Sequence, residues 1–202
     1  MSLAILFLLS YLIGGIPFGY MAGHIVLKTD IRTLGSGNLG ASNVFRQVGP
    51  GWGIGVLLLD ASKGLAVIFL AKTLFPTGAD WISLSAGVLA ILGHSFTPYL
   101  GFRGGKGVAT SAGVFLGLAP AALGLAFAVF VITMLIARMV SMSSLMGALA
   151  LPVALWILYP EKSIILFASL FVAALVWYRH RSNIGRILKG EEPRFKIRGK
   201  EA

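Results

Sequence analysis

The chain contains no cysteine and only seven Asp and Glu among its 202 residues. The first absence excludes disulfide and thiolate chemistry. The second leaves almost nothing with which to ligate a metal or act as a carboxylate general base, so neither a metal nor a cofactor is expected. Two hydrolytic and acyl-transfer signatures are missing as well. There is no Gly-x-Ser-x-Gly elbow, and no Asp stands five residues after His24, His94 or His180, which excludes a serine hydrolase and a His-x-x-x-x-Asp acyltransferase dyad. Charge is scarce overall: 12% of residues are charged and 57% hydrophobic, with a mean hydropathy of +0.88. A soluble domain carries more charge than this, and the composition reads as a polytopic, all-α membrane protein.

Apolar segments fall at 3–27, 52–74, 80–96, 107–119, 121–137, 143–159 and 162–178, separated by Gly, Pro or charge. They predict a single integral membrane domain, 1–202, with a bundle of seven transmembrane helices. The first segment lacks the charged leading region of a cleaved signal peptide and is expected to stay as a membrane helix. The least regular stretch is 108–137, where Pro120 interrupts about thirty apolar residues. One helix of that length would span about 45 Å against a hydrocarbon core of about 30 Å, so two short crossings are expected. The net charge of +10 sorts the loops. Fourteen of the seventeen Lys and Arg fall in the loops at about 28–50 and 97–107, at Arg138, and in the tail at about 179–202. The positive-inside rule therefore places the N-terminus outside and the tail in the cytoplasm, and it accounts for the charge without a nucleic-acid partner.

Every loop rich in charge and glycine thus gathers on one face. Arg103-Gly104-Gly105-Lys106-Gly107 combines three glycines with one lysine, just before an expected helix start, a composition suited to cradling phosphate. It is not a nucleotide P-loop: Leu100 stands where the first glycine is required and Gly107 where Ser or Thr would ligate magnesium. Gly35 to Arg46 holds three glycines, Ser36, Ser42, Asn38, Asn43 and Arg46, a run able to wrap a phosphate or polyol, or to form an ordinary polar turn. In the tail, Arg179, His180, Asn183 and Arg186 share a helical face that could clamp an anion. Arg194, Lys196, Arg198 and Lys200 suit a segment resting on acidic headgroups. Asp60 and Lys63 lie one turn apart inside a membrane segment and are expected to pair, in a structural or a catalytic role. His24 reads as structural, whereas His94 fits either role.

Gly35-Ser36-Gly37-Asn38-x-Gly40-x-Ser42-Asn43-x-x-Arg46, Gly93-His94 with Gly104-Gly105-Lys106-Gly107-Val108-Ala109-Thr110, and His180-Arg181-x-Asn183-Ile184-x-Arg186 together resemble the three cytoplasmic motifs of the bacterial acyl-phosphate:glycerol-3-phosphate acyltransferase family. The likeness extends over the chain length and the seven-helix layout. One departure is Ser42, where Thr is expected; the hydroxyl is kept. The resemblance implies transfer of a long-chain acyl group from acyl phosphate to the 1-hydroxyl of glycerol 3-phosphate, giving lysophosphatidic acid and phosphate, by a monomer in the bacterial inner membrane with its site on the cytoplasmic side. It implies Lys106, His180 and Asn183 as catalytic residues. Ser36, Gly37, Asn38, Asn43, Arg46, Gly104, Gly105, Gly107 and Arg186 are implied as substrate-binding. A transporter for a small organophosphate would use the same cradles, but the polar residues crowd one face and no inverted repeat is evident.

Overall fold

The computed structural model describes residues 2–77 and 80–195. Lys196, Arg198 and Lys200, expected to rest on headgroups, lie outside the described residues. Among the described residues there are ten α-helices and no strand, as the all-α reading expects. The contacts cluster into two compact units, Met1–Pro120 and Ala121–Ala202.

The first unit opens with α1 (Leu3–Gly15) and α2 (Phe18–Leu27), which the sequence presented as one apolar segment. Pro17 separates them: it has no N–H to continue the helix and disfavours helical backbone at Ile16. After a 3₁₀ turn at Ile31–Thr33 come α3 (Ala41–Gln47) and α4 (Pro50–Leu74), which starts on a proline whose missing N–H would have had no partner there. Helices α5 (Asp80–Ser95) and α6 (Val108–Leu118) complete the unit. Its helices meet at backbone contact. A Cβ on Gly14 would strike the Ala90 backbone, and one on Gly93 the Tyr11 carbonyl, so α1 and α5 pack through glycine. Gly64 and Gly113 do the same for α4 and α6, against the Thr110 and Ala61 carbonyls. Close packing of small residues supplies the dispersion contacts that hold helices together where lipid removes the hydrophobic drive.

The second unit holds α7 (Pro120–Ala137), α8 (Val140–Leu158), α9 (Ser163–Arg179) and α10 (Arg181–Leu188). Trp177 on α9 donates its indole N–H to the Leu145 carbonyl on α8 at 3.3 Å. At His180 the chain bends by 60° into α10.

Four stretches among the described residues are long and apolar enough to cross a membrane: Leu3–Leu27, Pro50–Leu74, Pro120–Ala137 and Val140–Leu158. A fifth is added if the bent pair Ser163–Leu188 is one span. All seven apolar segments are helical, but α5 has 16 residues and α6 only 11. Exposed side chains such as Phe127, Leu135 and Ile136 on α7 suit a lipid surface. The chain is a multi-pass membrane protein.

Candidate active site

The first polar loop is built around Asn43, which is 1% exposed. Its side-chain Nδ2 lies 3.0–3.1 Å from the carbonyls of Ile31, Leu34 and Asn38, and its Oδ1 accepts the Ser36 N–H at 3.0 Å. Its amide thus latches the loop from inside. Gly35 and Gly37 adopt φ of +57° and +70°, the left-handed backbone that lets the chain turn around that latch. Asn38 accepts the Gly40 N–H at 2.9 Å in a local turn. Ser36 and Gly37 are exposed at the rim, and Arg46, also exposed, donates to Ser42 at 3.3 Å. Nearby, Asp30 is held below the usual carboxylate range chiefly by hydrogen bonds from Arg32. Arg32 also reaches the Leu100 carbonyl at 3.4 Å, tying the first loop to the second. His24 is exposed and stacks on Tyr20 with centroids 5.9 Å apart.

The second loop docks back on the end of α5. Gly104 N–H donates to the Ser95 carbonyl at 3.2 Å and Gly105 N–H to the His94 carbonyl at 3.0 Å. Both amides are thus engaged within the protein. What the glycines provide is proximity: a Cβ on Gly104 would collide with the His94 carbonyl, and one on Gly105 with the His94 ring. Gly107, at φ +82°, caps α6 in left-handed backbone. The amides of Val108, Ala109 and Thr110 open the helix and have no intrahelical acceptor, so the positive end of α6 begins directly after Lys106. Lys106 is half-buried.

Beneath this loop lies a buried charged cluster. Asp60 and Lys63 form the expected pair, Nζ to Oδ1 at 2.8 Å, with side chains 4% and 3% exposed. Lys63 Nζ also lies 3.0 Å from the Ile16 carbonyl and 2.9 Å from His94 Nδ1. The Thr97 hydroxyl donates to the Gly15 carbonyl at 2.6 Å. The carbonyls freed by the Pro17 break thus receive donors from α4 and from the segment after α5. Gly15, Ile16, Pro17, Phe18, Gly19, Leu39, Asp60, His94, Thr97 and Gly105 line one small cavity, so the first two motifs meet there.

The third motif, in the second unit, is organised by a residue the sequence reading did not single out. Glu192 is 8% exposed; its Oε1 accepts from Asn183 Nδ2 at 2.6 Å and its Oε2 from Arg186 Nε at 2.7 Å. Asn183 and Arg186, both expected at substrate, therefore hold the tail's own fold together. Burial opposes ionisation of Glu192, but the Ser141 hydroxyl, Asn183 and Arg186 outweigh it and leave its pKa below the ordinary value. His180, 3% exposed, sets its Nδ1 2.8 Å from the Val176 carbonyl. A carbonyl can only accept, so Nδ1 carries a proton, and in the neutral ring the lone pair is on Nε2. Among the described residues no group of three His, Asp or Glu could hold a metal ion.

The family model described as "Glycerol-3-phosphate acyltransferase" matches residues 4–190. Glycerol-3-phosphate acyltransferases of Agrobacterium fabrum and Staphylococcus carnosus are 45% and 44% identical to this chain, covering 98% and 97% of it and 94% and 99% of their own lengths. Among solved structures, PlsY, described as an integral membrane glycerol 3-phosphate acyltransferase, is similar in its glycerol 3-phosphate form with a TM-score of 0.90. Identity is 35%, over 97% of this chain and 96% of that one. Its lysophosphatidic acid form is similar with a TM-score of 0.87.

Proposed function

The chain belongs to the glycerol-3-phosphate acyltransferase family, and from that premise we propose that its acyl donor is a long-chain acyl phosphate and its products are lysophosphatidic acid and phosphate. The observation that supports this reading best is Lys106 standing directly before the N-terminus of α6, which no side chain caps. A cation beside open helix N–H groups suits an anion that gains charge as it leaves.

Acyl phosphate is already activated, so transfer is direct. The 1-hydroxyl oxygen attacks the acyl carbonyl carbon, the carbon–oxygen bond to phosphate breaks, and phosphate leaves. The hydroxyl proton passes to a donor phosphate oxygen, with His180 Nε2 as the alternative acceptor. Lys106 and the α6 amides stabilise the leaving phosphate, while Ser36, Gly37, Asn38 and Arg46 bind phosphate or glycerol oxygens. Gly104, Gly105 and Gly107 give the loop its close approach. The roles that the motif resemblance implies for His180, Asn183 and Arg186 belong to the same proposal. So do the seven crossings, with N-terminus outside and tail in the cytoplasm, the bacterial inner membrane, and the monomeric state.

The test is phosphate release by the purified protein given glycerol 3-phosphate and palmitoyl phosphate, beside product assays with acyl-CoA and acyl carrier protein. Lysophosphatidic acid with stoichiometric phosphate from acyl phosphate alone, lost in Lys106→Ala, is the expected result. Product from another donor, or undiminished turnover in the variant, contradicts it.

A further inference from the structure

We propose that His94 is a further phosphate-binding residue, whose Nε2–H, fixed in that tautomer by Lys63, donates to the anion seated beside Gly105 and Lys106. The argument begins at Lys63. An ammonium has three N–H donors and no acceptor. Three acceptors surround its nitrogen: the Ile16 carbonyl at 3.0 Å, Asp60 Oδ1 at 2.8 Å and His94 Nδ1 at 2.9 Å. Nδ1 therefore accepts, and the proton of the neutral ring sits on Nε2.

The His94 side chain is only 9% exposed, yet no buried, unpartnered atom is found at Nε2, so this donor opens on the small cavity that the ring lines. A donor open to a cavity and not engaged by protein can meet an anion, its natural complement. Nε2 faces the anion loop: it is the atom nearest to where a Cβ on Gly105 would stand, and the ring and Gly105 line the same small cavity. Asp60 also lines that cavity and would repel an anion, but its charge is matched by Lys63. Asp60 and Lys63 are thus positioning residues: they aim the His94 proton without touching the ligand. The ligand chemistry is a phosphate dianion, which glycerol 3-phosphate and the leaving phosphate share. This inference rests on the phosphate chemistry proposed above.

The chain has three histidines, so imidazole nitrogen signals of histidine-labelled protein in detergent are assigned by single substitutions. The signal of His94 is expected to show protonated Nε2 and lone-pair Nδ1. Titration with inorganic phosphate and with glycerol 3-phosphate, in separate arms, identifies which phosphate moves it. For that ligand, His94→Leu raises KM, or the inhibition constant of inorganic phosphate, about tenfold or more. Smaller changes are expected in kcat, and His94→Gln, which restores an amide donor, recovers part of the loss. A proton on Nδ1, or an active transferase whose His94 signal ignores both phosphates, overturns the assignment. A signal that responds in a protein without transferase activity upholds His94 as an anion ligand and removes the acyl-transfer reading. Silence in both assays removes both.

Discussion

Asn183 donates its side-chain N–H to Glu192 at 2.6 Å, and Arg186 meets the other oxygen of the same carboxylate at 2.7 Å. The tail motif is therefore held by a residue nine positions beyond its central asparagine. Because the Glu192 pKa is lowered on folding, its ionised form contributes stability above the ordinary value of 4.5. That contribution disappears as the pH falls through the depressed folded-state value. Thermal unfolding in detergent is expected to show wild-type stability falling with acidification below about pH 4.5, with this part of the profile flattened in Glu192→Gln. An unchanged profile in the variant contradicts the role given to the carboxylate.

The Asp60–Lys63 pair makes a prediction through non-additivity. Asp60→Leu leaves the Lys63 ammonium buried without its counter-charge, as Lys63→Met leaves the carboxylate. Either single change is expected to cost about 3–5 kcal/mol, and the double change less than the sum. Melting temperatures of the four proteins in one detergent check this. Simple additivity would mean that the pair is not a coupled unit.

Thr97 tests the helix break. Thr97→Val keeps the shape but removes the 2.6 Å bond to the Gly15 carbonyl, so a loss of about 1–3 kcal/mol is expected, with Thr97→Ser retaining most of the stability. Equal behaviour of valine and serine would show that Gly15 finds its partner elsewhere.

For Asn43, both Asn43→Ala and Asn43→Asp are expected to fail, because an aspartate cannot donate to the Ile31, Leu34 and Asn38 carbonyls. The readouts are faster proteolysis within 30–47 and a raised KM for glycerol 3-phosphate. A normal loop with impaired catalysis would return Asn43 to the substrate.

Much of this was legible because helix boundaries in an apolar chain are written by its exceptions. Pro120, the glycine-rich turns and the charges marked the segment ends, and the start of α6 after Gly107 follows the glycine that caps it. Pro17 was equally visible, preceded by Gly14 and Gly15, but a hydropathy reading runs through a proline that the apolar count does not register. Side-chain direction was hidden in a different way. Composition shows that a loop carries asparagines but not which one turns inward, so Asn43 and Asn38 looked alike. The scarcity of carboxylates hid another feature: an argument against acid–base chemistry by Asp or Glu does not reveal Glu192 as a bracket. The amides of Gly104 and Gly105 were beyond reach of the sequence, because their acceptors are the carbonyls of Ser95 and His94 at the end of another helix.

The break at Ile16–Pro17 also bears on how the protein enters the bilayer. Helix α4 carries Asp60 and Lys63, each costing about 2.5–3.5 kcal/mol on translocon insertion scales when alone at the centre of a span. The Ile16 carbonyl that receives Lys63 belongs to a segment synthesised earlier, while His94 follows only with α5. During biogenesis the first hydrophobic segment thus offers a docking point for the ammonium as α4 leaves the translocon. The third partner arrives about thirty residues later. Chain order and charge order agree, and the helix that carries the buried ion pair enters lipid with a waiting neighbour.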